Sequence, residues 1–167
     1  LREWDQVSAD RPDKYIANSE TVARRLKKYY RMDSTVVFPP VDVKSFRVNE
    51  GHSDYFLIVS TLTPYKRIDL AVQLFNKIGR RLVIIGDGPH RSYLEAIAAD
   101  NIDFLGFKSD EEVREYMQNC RAFLFPGEDD FGITPVEAMA CGKPVLAFGR
   151  GGALETVVAG RTGEFFY

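Results

Sequence analysis

Four stretches of this chain group side chains and backbone that could do chemistry. The densest is 121–148, RAFLFPGEDDFGITPVEAMACGKPVLAF. There Glu128, Asp129 and Asp130 precede Phe131-Gly132-Ile133-Thr134, and seven residues separate Asp129 from Glu137. Carboxylates so arranged accept paired hydrogen bonds from vicinal hydroxyls, or hold a divalent cation. No further ligand cluster accompanies Asp129 and Asp130, which disfavours the cation. The second stretch is Ser60-Thr61-Leu62-Thr63-Pro64-Tyr65-Lys66-Arg67, where a cation could hold a diphosphate and stabilise the charge on a departing group. The third is Gly86-Asp87-Gly88-Pro89, and the fourth is Gly149-Arg150-Gly151-Gly152 followed by Glu155, a candidate anion nest. Each has a plainer reading. A lysine at a loop–helix junction is commonly solvated, glycine pairs serve tight turns, an acidic run is often a solvated loop, and a Glu in a helix's first turn offsets the macrodipole.

These residues need elements to position them. The apolar run 121–125 reads as a buried strand, closed by Pro126-Gly127. Thr134 fits an N-cap with Pro135 at the first helical position, Gly142 ends that helix, and 144–148 is a strand. The acidic loop therefore lies at the carboxyl end of a strand and before a helix N-terminus, where open α/β sheets bind ligands and free N–H groups suit a phosphate or sugar hydroxyl. Further strands are expected at 55–60, 82–85, 102–105 and 164–167. Helices are expected at 67–78 with Ile68, Val72 and Phe75 inward, at 90–99, at 109–119 with a Ser109/Glu112 capping box, and at 153–158. Nearer the start, 14–17 reads as a strand. Asn18-Ser19 caps a helix to about residue 31 with Val22, Leu26 and Tyr29 as its stripe, and residues 1–15 stay largely unassigned. Repeated βαβ units predict an α/β fold, a Rossmann-like parallel sheet with helices on both faces.

Composition narrows the function. The chain's 167 residues suit one domain, and 45% apolar with 28% charged content is that of a soluble globular protein. A net charge of −2 disfavours nucleic acid as partner. Cys120 and Cys141 lack metal-like spacing and make no disulfide framework, which points to a reducing compartment. No apolar run is long enough to span a bilayer and no signal peptide is visible. The chain starts at Leu1 without Met and stops at Tyr167 as a strand begins, so it reads as a piece of a longer protein. The helix carrying Arg24, Arg25, Lys27, Lys28 and Arg31 is a solvated face on the bland reading and an anionic-membrane contact on the sharper one. His52 and His90 are isolated, and His90 reads as a surface residue. Gly86-Asp87-Gly88-Pro89 supplies no third glycine for a dinucleotide fingerprint.

Asp129, seven residues, Glu137 and then Ala-Met-Ala-Cys-Gly-Lys-Pro-Val resemble the E-x7-E motif of retaining glycosyltransferase family 4. Members of that family have two Rossmann-like domains, the GT-B fold, and this chain resembles the second, nucleotide-sugar-binding one over nearly its whole length. Residues 1–38 then read as a remnant of the acceptor domain with the interdomain link, and 39–167 as the donor-binding domain. The resemblance implies that Lys66 contacts phosphate, that Asp129 lies near the donor sugar, and that these two are the catalytic pair. It places Glu137 on the ribose hydroxyls and brings the backbone of Phe131, Gly132, Ile133 and Thr134 to sugar and phosphate. Thr61, Arg67, Gly86 and Gly88 complete the donor-binding set. No metal or other cofactor is expected. Two positions depart from the pattern: Asp129 stands where Glu is usual and Thr61 where Arg is usual. The second removes a bidentate clamp that Thr cannot replace, with Arg67 and Arg150 as nearby substitutes. The wording Asp-Phe-Gly-Ile-x-Pro-Val-Glu-Ala resembles mannosyltransferases of polysaccharide or glycolipid assembly. It implies GDP-mannose as donor, a saccharide or lipid-linked acceptor, retention by front-face attack, and a cytoplasmic site with peripheral contact at the inner face of the membrane. The piece alone is expected to bind nucleotide weakly and transfer nothing. Two other classes stay open: a non-catalytic nucleotide-sugar-binding module, with Thr61 and Asp129 as marks of decay, and an NAD-binding dehydrogenase domain.

Overall fold

The computed structural model describes residues 2–49, 51 and 53–167. Two compact units result, one ending at Pro40 and one running Val41–Tyr167. The first holds α1 (Arg2–Ala9), β1 (Tyr15–Ala17), α2 (Glu20–Tyr30) and β2 (Ser34–Val36), with β1 and β2 parallel and Tyr15 opposite Ser34. Ser19 caps α2 by accepting a hydrogen bond from the Val22 N–H at 3.1 Å. Helix α1 was not expected from the sequence. It has no sustained apolar stripe, but Glu3 and Asp5 in its first turn suit the positive helix end. Tyr29, expected on the inward stripe of α2, is exposed, while the neighbouring Tyr30 donates to the Asp5 carboxylate.

The second unit is built on a six-stranded, all-parallel sheet. Its strands are β3 (Tyr55–Val59), β4 (Arg81–Ile85), β5 (Ile102–Gly106), β6 (Ala122–Phe125), β7 (Val145–Phe148) and β8 (Gly163–Phe166), in the order β5-β4-β3-β6-β7-β8. The strands read as apolar runs because both faces are covered. Alternate residues serve two cores. Leu57, Val83, Ile85, Phe123, Phe125, Val145 and Ala147 pack with Met117 of α5 (Asp110–Asn119), Ala138 of α6 (Ile133–Ala140) and Ala153 of α7 (Ala153–Thr156). Ile58, Leu82, Ile84 and Leu124 face the other way, against Ile68, Val72 and Phe75 of α3 (Ile68–Ile78) and Leu94 of α4 (Arg91–Ile97). The α/β fold with helices on both faces is as expected, and so is the Ser109/Glu112 capping box at the start of α5.

One boundary that matters to the site differs. Thr134 does not cap α6: the helix starts at Ile133 with Gly132 as N-cap and no side-chain cap. Gly132 has φ +82°, and a Cβ there would lie 2.9 Å from the Phe125 ring, so a left-handed glycine turns the chain into the helix two residues early. Thr134 and Pro135 fall within the first turn, where a missing proline N–H costs no helix bond. Among the described residues no helix is long and apolar enough to cross a membrane.

Candidate functional site

Chain order builds the sheet outward from β3: β4 and β5 add on one side, and β6, β7 and β8 on the other. Between β3 and β6 the winding reverses, which opens a crevice at the carboxyl ends of those strands. The loop leaving β3 ends in a short 3-10 turn, Pro64–Lys66, and the loop leaving β6 carries Asp129. The two meet. Lys66 Nζ donates to Asp129 Oδ1 at 2.6 Å and Oδ2 at 2.5 Å, with the side chains only 17% and 19% exposed. The Lys66 ammonium also lies 5.2 Å from the centroid of the Tyr65 ring.

Glycines set this meeting. A Cβ on Gly127 would come 2.8 Å from Lys66 Cα, so only glycine lets the two loops touch. On the far side, the Gly152 N–H donates to the Asp129 carbonyl at 2.8 Å, and a Cβ on Gly151 would fall 2.3 Å from that oxygen. The 149–152 turn therefore clamps the acidic loop by its backbone, with the Gly152 N–H spent on that clamp. Arg150 lies 5.6 Å from the Phe148 ring centroid.

Arg67 adopts left-handed backbone, φ 51° and ψ 34°, at the start of α3. Its Nε and Nη2 donate to the Asp69 carboxylate at 3.3 and 3.5 Å. Thr61 is exposed in the same loop. Gly86 and Gly88 take the tight-turn role. A Cβ on Gly86 would lie 1.9 Å from the Ser60 carbonyl oxygen, and one on Gly88 2.5 Å from that of Leu62. Leu62 N–H donates to the Asp87 carbonyl at 2.9 Å, so the β4–α4 turn buttresses the loop that ends in Lys66.

The start of α6 completes the crevice. The Phe131 side chain is buried, Ile133 is exposed and Thr134 is half-buried. Glu137 lies one turn further on. Among the described residues no hydrogen bond joins it to Lys66 or Asp129. Instead it opens on a cleft of about 290 Å³ lined by Asp42, Ser45, Phe46, Asp110, Val113 and Arg114. Burial pushes its carboxyl above the ordinary range, Asp110 adds to the rise and Arg114 opposes it. The Cys141 N–H donates to the Glu137 carbonyl at 3.1 Å, but no described residue donates to the Glu137 carboxylate, whose oxygens are open to hydroxyl donors in the cleft. Among the described residues, no group of three or more His, Cys, Asp or Glu could hold a metal.

Lys143, inside the motif stretch, was not singled out from sequence. It is 5% exposed, and its Nζ donates to the carbonyls of Asn49 at 2.8 Å and Gly51 at 2.7 Å. It anchors the segment before β3 at the start of β7, the sheet end opposite the crevice. A lysine between Gly142 and Pro144, directly before an apolar run, is the signal that could have flagged it. His90, expected at the surface, is half-buried and stacks on Tyr93 with ring centroids 4.6 Å apart. His52 lies outside the described residues.

Residues 42–167 match the family described as Glycosyl transferases group 1. An uncharacterized glycosyltransferase of Methanocaldococcus jannaschii is 32% identical over 156 residues, covering 90% of this chain and 44% of that protein. An alpha-1,3/1,6-mannosyltransferase of Dictyostelium discoideum is 43% identical over 65 residues, 38% of this chain and 16% of its own. In structure, Anabaena HepE in complex with UDP-glucose superposes with TM-score 0.80 at 21% identity, over 92% of this chain and 49% of that one. TarM of S. aureus, crystallised with UDP and saccharide ligands, gives TM-score 0.83 at 16% identity, over 98% of this chain and 36% of that one. These two likenesses establish the fold, one domain of GT-B type. The chain spans less than half the length of the curated relatives it matches.

Proposed function

The chain belongs to the group 1 glycosyl transferases, and from that premise we propose that it is the donor-binding domain of a retaining, family 4 hexosyltransferase acting on a nucleotide-diphosphate sugar. The observation that carries the reading is the meeting of Lys66 and Asp129 at the switch-point crevice, beside the start of α6. A cation and a helix N-terminus converging there can neutralise a diphosphate as it leaves the anomeric carbon. Glu137, open to its own cleft, is suited to accept paired hydrogen bonds from the ribose hydroxyls. Asp129 lies beside the donor sugar. The acceptor hydroxyl approaches from a second domain and attacks on the face the diphosphate leaves, through an oxocarbenium-like state. No metal is invoked: Lys66, once Asp129 yields it, and the start of α6 carry the positive charge.

GDP-mannose is the favoured donor. The Asp130–Ala138 wording supports it, and so does the likeness to a mannosyltransferase. A UDP-sugar is the second reading, favoured by the UDP complexes of the structural neighbours. The acceptor is a saccharide or lipid-linked saccharide at a cytoplasmic membrane face, which the basic side of α2 could approach. Asp129 reaches Lys66 with both oxygens despite its shorter side chain, which speaks for a working site over a decayed one. Gly86 and Gly88 packed against the 60–62 backbone speak against a dinucleotide turn.

Calorimetric titration of the chain with GDP, UDP, ADP and NADH, for wild type and Glu137→Ala, tests the reading. A nucleoside diphosphate should bind, and the variant should lose about 1.5–3 kcal/mol, roughly tenfold or more in affinity. NADH binding tighter than every nucleoside diphosphate would overturn it.

A further inference from the structure

We propose that Asp129 is a counter-ligand for Lys66: it competes with the diphosphate for the ammonium group and shortens the stay of the nucleoside diphosphate product. The inference rests on the crevice being the donor site. Its starting point is the bidentate pair itself, with both carboxylate oxygens at 2.5–2.6 Å from Nζ. An ammonium has three N–H donors, and here two are committed to Asp129.

Three features make this more than a surface ion pair. First, both side chains are more than four-fifths buried, so solvent screens the attraction weakly. Second, both backbones are fixed, Lys66 by the close approach of Gly127 and Asp129 by the Gly151-Gly152 clamp. The pair forms with little further loss of chain freedom, unlike flexible exposed pairs. Third, an anion reaching Lys66 must displace Asp129 from it or sit beside a carboxylate, and like charges held together are unfavourable. Capping by sugar removes one ionisable oxygen of the terminal phosphate, so the product carries more negative charge than the donor. The repulsion therefore falls hardest on the product, which also lacks the sugar's own contacts. When the product leaves, Asp129 recaptures Lys66 and resets the site.

The test compares wild type with Asp129→Asn, which keeps an oxygen acceptor for Lys66 and removes the charge. Lys66→Ala and the double variant complete the cycle. GDP, UDP and inorganic pyrophosphate are titrated by calorimetry, and dissociation of fluorescent GDP and UDP derivatives is followed by stopped flow. Asp129→Asn should bind GDP or UDP at least fivefold tighter, with a correspondingly slower off-rate, and the gain should fall below twofold when Lys66 is Ala. Asp129→Ser, smaller and uncharged, should shift affinity in the same direction, and Asp129→Glu should stay near wild type. Melting curves identify any variant that fails to fold. Unchanged or weaker binding in both Asn and Ser variants overturns the proposal, as does a gain that persists without Lys66. If wild type binds and the charge removal has no effect, the inference alone fails. If no form binds any nucleoside diphosphate, the donor-site reading fails with it.

Discussion

Arg67 is the residue whose replacement best separates function from fold. It holds left-handed backbone, φ 51°, a conformation that glycine adopts without strain. For a side-chain-bearing residue this conformation costs about 1–2 kcal/mol. Arg67→Gly removes that strain, but frees the unfolded chain by roughly 0.4–1 kcal/mol. It also deletes the half-exposed pair with Asp69, worth about 0–1 kcal/mol. The three nearly cancel, so the melting temperature should stay within about 3 °C of wild type. If Arg67 supplies the second cation that Thr61 does not, the loss of a charge-assisted bond to phosphate should cost about 1.5–3 kcal/mol of nucleotide affinity, tenfold or more. Thr61→Arg in the same chain should recover part of it. Thermal denaturation and calorimetry with GDP and UDP read both quantities. A drop of more than about 5 °C with unchanged affinity would make Arg67 a structural residue and remove it from the nucleotide site.

Glu137 holds its proton to higher pH in the folded chain than in the unfolded one, because burial raises its pKa, so folding stability falls as pH rises through that window. Glu137→Gln should therefore melt higher than wild type at pH 7, with the gain vanishing below the ordinary carboxyl range, while losing nucleotide affinity; pH-dependent melting curves check this. Gly86→Ala would put a Cβ 1.9 Å from the Ser60 carbonyl at φ +125°, and should lower stability by roughly 3 kcal/mol or more in urea unfolding. Cys120 and Cys141 are buried, and burial pushes their thiols up to about 12 and about 11, so a thiol reagent should label neither at pH 8 until the chain unfolds.

The sheet and helices could be read from local pattern because the forces that set them are local. Strands buried on both faces appear as runs such as Leu82–Ile85, and Ser109 with Glu112 satisfies a helix start within four residues. The crevice could be placed for the same reason, since the loop after 121–125 must lie at a strand's carboxyl end. What escaped depends on distant backbone. Lys66 and Asp129 are 63 residues apart and meet only because β6 pairs with β3. Lys143 is buried by carbonyls 92 and 94 residues away. The early start of α6 at Ile133, with Gly132 as N-cap, goes with the Phe125 ring lying where a Cβ on Gly132 would fall. Arg67's left-handed turn has no signal in residue type, which favours glycine there. Helix α1 offers only Trp4 and Val7 as large apolar residues, and both are exposed, so no buried stripe marks it.

A nucleoside diphosphate is assigned to the crevice between the β3 and β6 loops. Backbone amide shifts of the ¹⁵N-labelled chain on titration with GDP, and separately with UDP, test it directly. The largest shifts should fall on Thr61, Lys66, Arg67, Gly127, Asp129 and the start of α6 through Glu137, and should collapse in Lys66→Ala. Shifts confined to the apolar groove beside Leu70, Leu74 and Tyr167 on the sheet's α3 face, with the crevice silent, would contradict it.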